Sequence, residues 1–312
     1  MIWRNLAELP EDFGPSALTV GNFDGVHLGH QHILGRVAAI AREHGWKPAA
    51  LTFEPHPARV VAPARAPKLL TTLDQRCELL HQHGIEQILI LPFTHDIAKL
   101  TPEEFVSQIL VDKLRTRAVL VGENFRFGNR AAGDISTLQK LGEKYGFCSE
   151  ILSAITIRKR IVSSTEIRRR IEAGDVSTAC RMLGRPHALE GRVVPGHGVG
   201  AKQTVPTLNL DTEAEVLPER GVYITRTHDL NNERAWPSIT NIGYRPTFGG
   251  DDQLSIETFL LAPLEGVSPD EIRVEFLRRV RDERKFESAD ALKAQILRDV
   301  RRAQAYFRRL GE

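Results

Sequence analysis

The sequence predicts an α/β chain of two domains. A doubly wound parallel sheet over residues 1–183 is followed by a small antiparallel β-barrel with a C-terminal helix over residues 184–312. Three observations predict this. Short apolar runs alternate with stretches of helical spacing as far as Leu183. Beyond Leu183-Gly184-Arg185-Pro186, helical periods vanish and β-rich runs separated by turn residues take over. Helical spacing returns only over 288–310, where Leu292, Ile296, Leu297, Val300, Ala303 and Phe307 make one amphipathic face.

In chain order, residues 17–20 read as a strand. Residues 31–42 read as a helix, because Ile33, Leu34, Val37, Ala38 and Ala41 recur at helical spacing. Strands at 47–53, 85–91, 118–121 and 147–152 alternate with helices at 73–83 and 102–114, the latter capped by Thr101 with Glu104 three residues on. A short helix at 176–182 closes the first domain. Strands at 188–194, 207–210, 222–227, 236–242, 255–261 and 272–280 supply the barrel. In a doubly wound sheet ligands sit beyond the carboxyl ends of the strands. Segments 21–30, 54–57 and 122–128 each follow a strand and are therefore expected to meet there. The proline-rich stretch 55–67 fits a mobile loop beside that site or a spacer, and both stay open.

Composition narrows the function classes. A formal net charge of +2 gives no general drive toward nucleic acid or membrane. The basic surplus over 278–285 and 298–309 is interleaved with acids, as on a solvated face. Cys77, Cys148 and Cys180 form no CxxC pair, which speaks against a zinc site or disulfide framework and fits a reducing cytoplasm. The start, MIWRNLAELPEDFG, carries acids and lacks an apolar run, so no signal peptide is expected, and no stretch is long enough for a membrane helix.

The chain is organised around Gly21-Asn22-Phe23-Asp24-Gly25-Val26-His27-Leu28-Gly29-His30, a strand-to-helix turn. Its glycines let backbone approach a ligand, and its two histidines, three apart near a helix start, share a face. Unpaired N–H groups and partial positive charge at that helix end suit a polyphosphate. A plain glycine turn would also close a βα unit. The string resembles the HxGH signature of the nucleotidyltransferases, and in full it resembles the flavin adenylyltransferase branch.

Two more segments carry that resemblance. Val162-Ser163-Ser164-Thr165-Glu166-Ile167-Arg168 reads as ordinary helix capping, and it is also similar to the (I/V)SSTxIR motif that binds nucleotide phosphates. Arg169 and Arg170 are expected to face solvent. Gly122-Glu123-Asn124-Phe125-Arg126-Phe127-Gly128 reads equally as aromatic core. It resembles the flavin-facing G-x-D-F-x-F-G segment, with Asn124 where that family usually has Asp. The resemblance implies ATP-binding residues Gly21, Asn22, Phe23, Asp24, His27, His30, Ser164, Thr165 and Arg168. His27 and His30 would be catalytic, and Pro55, His56, Pro57, Asn124, Phe125 and Phe127 would lie on the flavin side.

In the second domain, Gly196, Gly198 and Gly200 alternate ahead of Val205-Pro206-Thr207-Leu208-Asn209-Leu210, a weak signal for a phosphate nest. Thr207 and Asn209, two apart on a strand, share a face and offer hard oxygen donors, although a strand-edge turn at Pro206 accounts for them as well. Glu257 sits in an apolar strand, where it either has a task or alternates outward to water. Together with Asn241-Ile242-Gly243-Tyr244-Arg245-Pro246-Thr247-Phe248 and the last helix, these stretches resemble the bacterial riboflavin kinases. The family usually has a basic run ending in Gly-aromatic before the Pro-Thr, which this chain lacks. The resemblance implies Mg2+ on Thr207 and Asn209, nucleotide at Gly198 and Gly200, and Glu257 as base.

The chain as a whole is thus similar to the bifunctional riboflavin kinases and FMN adenylyltransferases. That implies ATP as co-substrate, riboflavin, FMN and FAD as substrates or products, no nucleic-acid or membrane partner, and a cytoplasmic enzyme of open oligomeric state. Two rivals remain. One is a nucleotidyltransferase for another phosphorylated vitamin fused to a ligand-binding barrel, and the other is a non-enzymatic flavin-binding module.

Overall fold

The structure, a computed structural model, describes residues 1–195, 207–246, 252–264, 266, 268–284 and 286–311. Its contacts divide the chain into two compact units, Met1–Ser164 and Thr165–Glu312.

The first unit runs β1 (Ile2–Trp3), β2 (Ser16–Val20), α1 (Leu28–His44), β3 (Lys47–Glu54), α2 (Pro57–Val61), α3 (Leu73–Gln82), β4 (Gln87–Pro92), α4 (His95–Lys99), α5 (Pro102–Glu104), β5 (Thr116–Gly122), α6 (Ile135–Tyr145) and β6 (Cys148–Leu152). A small hairpin, β7 (Thr156–Ile157) and β8 (Arg160–Ile161), follows. The sheet order is β1-β4-β3-β2-β5-β6, parallel throughout. The chain winds outward from β2 through β3 and β4, then crosses back to β5. The switch point therefore lies between β2 and β5.

Strand alternation divides the core between the two faces of this sheet. Leu18, Val20, Leu51, Leu89, Val119 and Val121 pack on one face against Phe105, Ile109, Leu138 and Leu141. Ala17, Ala50, Ile88, Ala118 and Leu120 pack on the other against Leu34, Val37, Cys77 and Leu80 of α1 and α3. Strands buried on both faces read as near-continuous apolar runs, which is why they were legible.

The Thr101 cap is realised as a full capping box: Glu104 N donates to Thr101 Oγ1 (3.2 Å) and Thr101 N to Glu104 Oε2 (2.8 Å). The helix expected over 102–114 is α-helical only as α5, then continues as a π-helix over Phe105–Lys113. Stretch 55–67 holds α2 and a 3-10 turn at Pro63–Arg65. The sequence reading had omitted α6, although Asp134 caps it by accepting from Thr137 N (2.9 Å) and Gly146 ends it in the left-handed region.

The second unit takes up α7 (Ser164–Glu172) from its second residue, then α8 (Val176–Leu183). The barrel follows: β9 (His187–Val194), β10 (Thr207–Asp211), β11 (Gly221–Asp229), β12 (Ala235–Pro246), β13 (Asp252–Leu260), β14 (Glu271–Arg281), and then α9 (Ala289–Leu310). The barrel closes in the order β10-β13-β12-β11-β14-β9. Helix α8 packs on it, with Ser177 Oγ donating to the Leu277 carbonyl (3.2 Å). Ala303 and Phe307 of α9 cover Val222, Ile224 and Ile239 outside the barrel. A buried ion pair, Arg281 Nε to Asp299 Oδ2 at 2.8 Å, fixes the helix to β14.

Inside the barrel, apolar side chains share space with a chain of fully buried hydroxyls. Thr227 and Ser238, Ser238 and Thr225, and Thr225 and Thr240 are each 2.8 Å apart, and Thr240 and Thr258 are 2.9 Å apart. Each hydroxyl has at least one hydroxyl partner, which offsets the cost of its burial.

His187 is buried, with Nε2 3.2 Å from the Val216 carbonyl, and burial lowers its pKa to about 4. The folded state therefore prefers neutral imidazole. The stability this gives is fully present above the unfolded value near 6.5 and is lost as pH falls toward 4, a loss of about 3 kcal/mol. Urea unfolding of the wild type between pH 7 and 4 should show this slope, and His187→Leu should show it reduced by that amount.

Candidate active sites

The first site is built where β2 ends. Gly21 N donates to the Leu51 carbonyl (3.1 Å) and Thr52 Oγ1 to the Asn22 carbonyl (3.3 Å), so the turn is stitched to β3. Phe23 and Val26 take positive φ (48° and 37°), as does Gly25 (80°), which folds the chain tightly into α1. Phe23 is buried, and its ring meets that of His30 edge-on with centroids 5.3 Å apart. Asp24 is also buried. Its Oδ1 accepts from Leu70 N (2.8 Å) and Thr71 N (3.2 Å), so this carboxylate ties segment 70–71 to the turn. Gly25 N donates to Thr71 Oγ1 (3.1 Å) from the other side.

The two imidazoles stack, with centroids 3.7 Å apart and planes 15° from parallel. His27 caps α1, its Nδ1 accepting from His30 N at 3.4 Å. With Nδ1 an acceptor, a neutral His27 carries its hydrogen on Nε2. His30 Nδ1 is shut off from solvent and has no partner among the described residues. The His30 pKa lies well below its usual value, first through burial and then through the charges of His27 and Arg76. A Cβ at Gly29 would lie 3.1 Å from His27 Cε1 and 3.2 Å from Nδ1, so any larger residue there presses the His27 ring to shift by a few tenths of an ångström. The helix N-terminus and the two imidazoles thus concentrate N–H groups and partial positive charge at one point, the chemistry an anion would need.

The neighbouring strand ends bring two further segments to this edge. Asn22 Nδ2 lies 3.1 Å from His56 Nε2, and His56 Nδ1 accepts from Ala58 N (3.1 Å), capping α2. Pro55 is exposed, while His56 and Pro57 are half-buried. After β5, Asn124 is exposed and Phe125 half-buried, its ring stacked on Phe127 with centroids 5.4 Å apart. Phe127 itself is buried and packs on Phe105 and Gly133.

Ser164 closes the first site from the start of α7, its Oγ donating to the Asp24 carbonyl (2.9 Å). Thr165 and Arg168 follow on the same helix within the second unit, the first exposed and the second half-buried. Arg170 departs from the expectation of a solvent-facing residue. Only 18% of its side chain is exposed, and it reaches Glu166 (2.8 Å) and Asp175 (3.2 Å). Arg169 shares Glu166 with it, and the two guanidiniums hold that carboxyl down to about 2.

The second site lies on the outside of the barrel. Leu208, Leu210, Ile256 and Leu260 point inward, so alternation sends Thr207, Asn209 and Glu257 out. Asn209 and Glu257 are direct cross-strand partners, as are Glu257 and Asn241 on the other side. All four side chains are half-buried, and Ser255 Oγ donates to Glu257 Oε1 (3.0 Å). A hydroxyl, two amides and a carboxylate thus share one face. Gly198 and Gly200 lie outside the described residues.

The family model described as FAD synthetase matches residues 9–166, and that described as riboflavin kinase matches residues 183–307. The bifunctional riboflavin kinase/FMN adenylyltransferase of Escherichia coli K12 is 36% identical over 306 residues, covering 97% of this chain and 96% of that protein. The chain belongs to this family. The Haemophilus influenzae member is 33% identical over 93% of the chain and 94% of its own length. A crystal structure of a macrolide-efflux protein from Streptococcus pneumoniae superposes with a TM-score of 0.85 at 24% identity, over 97% of this chain and 98% of that one, and shows a shared fold.

The sequence reading overlooked several residues that border these candidate sites or are buried nearby. Thr52 is a lone hydroxyl in an apolar strand. Asn241 was quoted within a motif but not singled out, though it borders Glu257. Arg76 stands on the apolar stripe of α3 with Cys77 and Leu80, a place where a charged residue needs a reason. Among the described residues no helix is long and apolar enough to cross a membrane, and no cluster of three His, Cys, Asp or Glu side chains could hold a metal.

Gly29→Ala should change the ring-current shifts that stacking imposes on the His27 and His30 imidazole protons in NMR spectra. Stability should move by no more than about 1 kcal/mol, since alanine is the better helix former. Unchanged shifts would mean that the stack tolerates a side chain at this position.

Proposed function

We propose that residues 184–312 phosphorylate riboflavin to FMN with ATP, and that residues 1–183 adenylylate FMN to FAD with release of pyrophosphate. One observation carries this two-reaction assignment: the carboxylate and the imidazole pair lie in different units.

The ribityl hydroxyl of riboflavin is a neutral, weakly acidic nucleophile, so its phosphorylation calls for a positioned base. Glu257, steadied by Ser255, takes that proton as the hydroxyl oxygen bonds to the γ-phosphorus of ATP and ADP leaves. The oxygens of Thr207 and Asn209 are hard donors, few in number and half-buried, a set that would hold Mg2+. The bound ion supplies charge neutralisation at the transferring phosphoryl group.

Adenylylation needs no base, because the FMN phosphate has a second pKa of about 6 and is already anionic. An oxygen of that phosphate bonds to the α-phosphorus of ATP, and the bond to the pyrophosphate oxygen breaks. What the protein provides is alignment and donors for the charge that grows on the α-phosphoryl oxygens and pyrophosphate. His27 Nε2, the ring of His30, the amides opening α1 and Ser164 fill that role, and the motif's likeness to the family assigns Thr165 and Arg168 to it as well. Gly21, Asn22, Phe23 and Asp24 shape the cradle. Phe125, backed by Phe127, offers a ring to the isoalloxazine, flanked by Asn124 and by Pro55, His56 and Pro57. Free cysteines and dependence on ATP suit the cytoplasm.

Supplied with riboflavin, ATP and magnesium, Glu257→Ala should form no FMN yet convert added FMN to FAD at the wild-type rate. His30→Ala should accumulate FMN and lose FAD formation by about 100-fold or more, the loss of one transition-state donor. Chromatography of the flavin products separates these outcomes. Loss of both steps in either folded variant would overturn the two-site assignment.

A further inference from the structure

Arg76 is a large side chain almost wholly closed off from solvent, with 1% of it exposed. Its guanidinium has five N–H donors. Among the described residues only Nη1 is engaged, donating to the Phe53 carbonyl (3.2 Å) and, more weakly, to Thr52 Oγ1 (3.4 Å). Glu54 Oε2 reaches the edge of ion-pair range at 4.0 Å from a side chain 35% exposed. Nε and Nη2 are buried with no partner among the described residues.

An ordinary structural arginine has its donors satisfied, because a buried charge left without a counter-ion destabilises the fold. The surroundings of Arg76 point to what satisfies it. Thr52 Oγ1, which it contacts, donates in turn to the Asn22 carbonyl, a direct line into the phosphate-binding turn. Its charge also acts on the ring of His30. A polyphosphate seated on that turn brings negative charge to the place where the guanidinium lacks it.

We propose that Arg76 is a positioning residue of the adenylylation site, one that steadies the Asn22 end of the turn through Thr52 and holds a buried positive charge that bound polyphosphate compensates. This rests on the assignment of the turn to ATP in adenylylation. Residues buried for stability alone lose stability when replaced. A residue kept for its charge weakens the empty protein and strengthens the occupied one.

The test uses the full chain, with FMN, ATP and magnesium as reactants and FAD as readout. Arg76→Met should raise the KM for ATP tenfold or more, about 1.4 kcal/mol. The KM for FMN should stay within twofold, and the ligand-free unfolding temperature should be unchanged or higher. Arg76→Lys keeps the charge and should bring the KM for ATP back to within threefold of wild type. Thr52→Val keeps the charge but cuts the link to Asn22, and should lower kcat with the KM for ATP within threefold. An Arg76→Met chain that fails to fold or melts earlier, an unchanged KM for ATP, or a raised KM that Arg76→Lys leaves uncorrected would each overturn the proposal. His30→Ala run in parallel keeps the two claims apart: if it still makes FAD at the wild-type rate, the assignment of the turn is what fails.

Discussion

The first unit depends on the parallel pairing of β2 between β3 and β5. All five residues of β2 are buried, and its registers with both neighbours are set by side chains that must enter opposite cores. A slip of one residue would exchange the two faces of the strand, driving Leu18 and Val20 toward the tight layer that Ala17, Ala50 and Ala118 leave for α1 and α3. With that register held, the ends of β2, β3 and β5 stand side by side. The turn at 21–30, the His56 segment and the Phe125 segment then share an edge as a consequence of strand direction.

The two sites draw on different periodicities. In the first, a helix terminus concentrates amides and imidazoles, and the close stack of His27 on His30 has a glycine between them. In the second, the two-residue repeat of a β-strand does the placing. The residues that fill the barrel force Asn209, Glu257 and Asn241 outward into one row. The two candidate sites thus arise from the two regular secondary structures.

The fold class was legible because the strongest patterns in the chain are those of burial. The apolar runs of β3, β4 and β5 and the six β-rich runs of the barrel stand where their spacing put them, whereas the stripe expected on α9 is borne out only at Val300, Ala303 and Phe307: Leu292 and Leu297 are exposed, and Gln295 and Asp299 are buried instead. The π-helix over Phe105–Lys113 was hidden because its apolar residues fit a tighter helical repeat as well as a wider one. Family motifs pointed to the right strand ends, but they said nothing of which side chains turn inward. Asp24 and Phe127 lie in those motifs and are buried, whereas Asn124 is exposed. Long-range partners were beyond reach for a simpler reason. Nothing local in the sequence says that Arg76 will meet a threonine 24 positions earlier.

The hydroxyl chain inside the barrel has an evolutionary consequence. Thr227, Ser238, Thr225, Thr240 and Thr258 have one hydrogen apiece, so each can donate to one neighbour at most and every link depends on the members beside it. Replacing Thr225 by valine cuts the row into two separate pairs, Thr227 with Ser238 and Thr240 with Thr258, while replacing several members together leaves an ordinary apolar interior. These positions should therefore drift as a block, and relatives should carry either the row or its wholesale aliphatic substitute, with mixed intermediates rare.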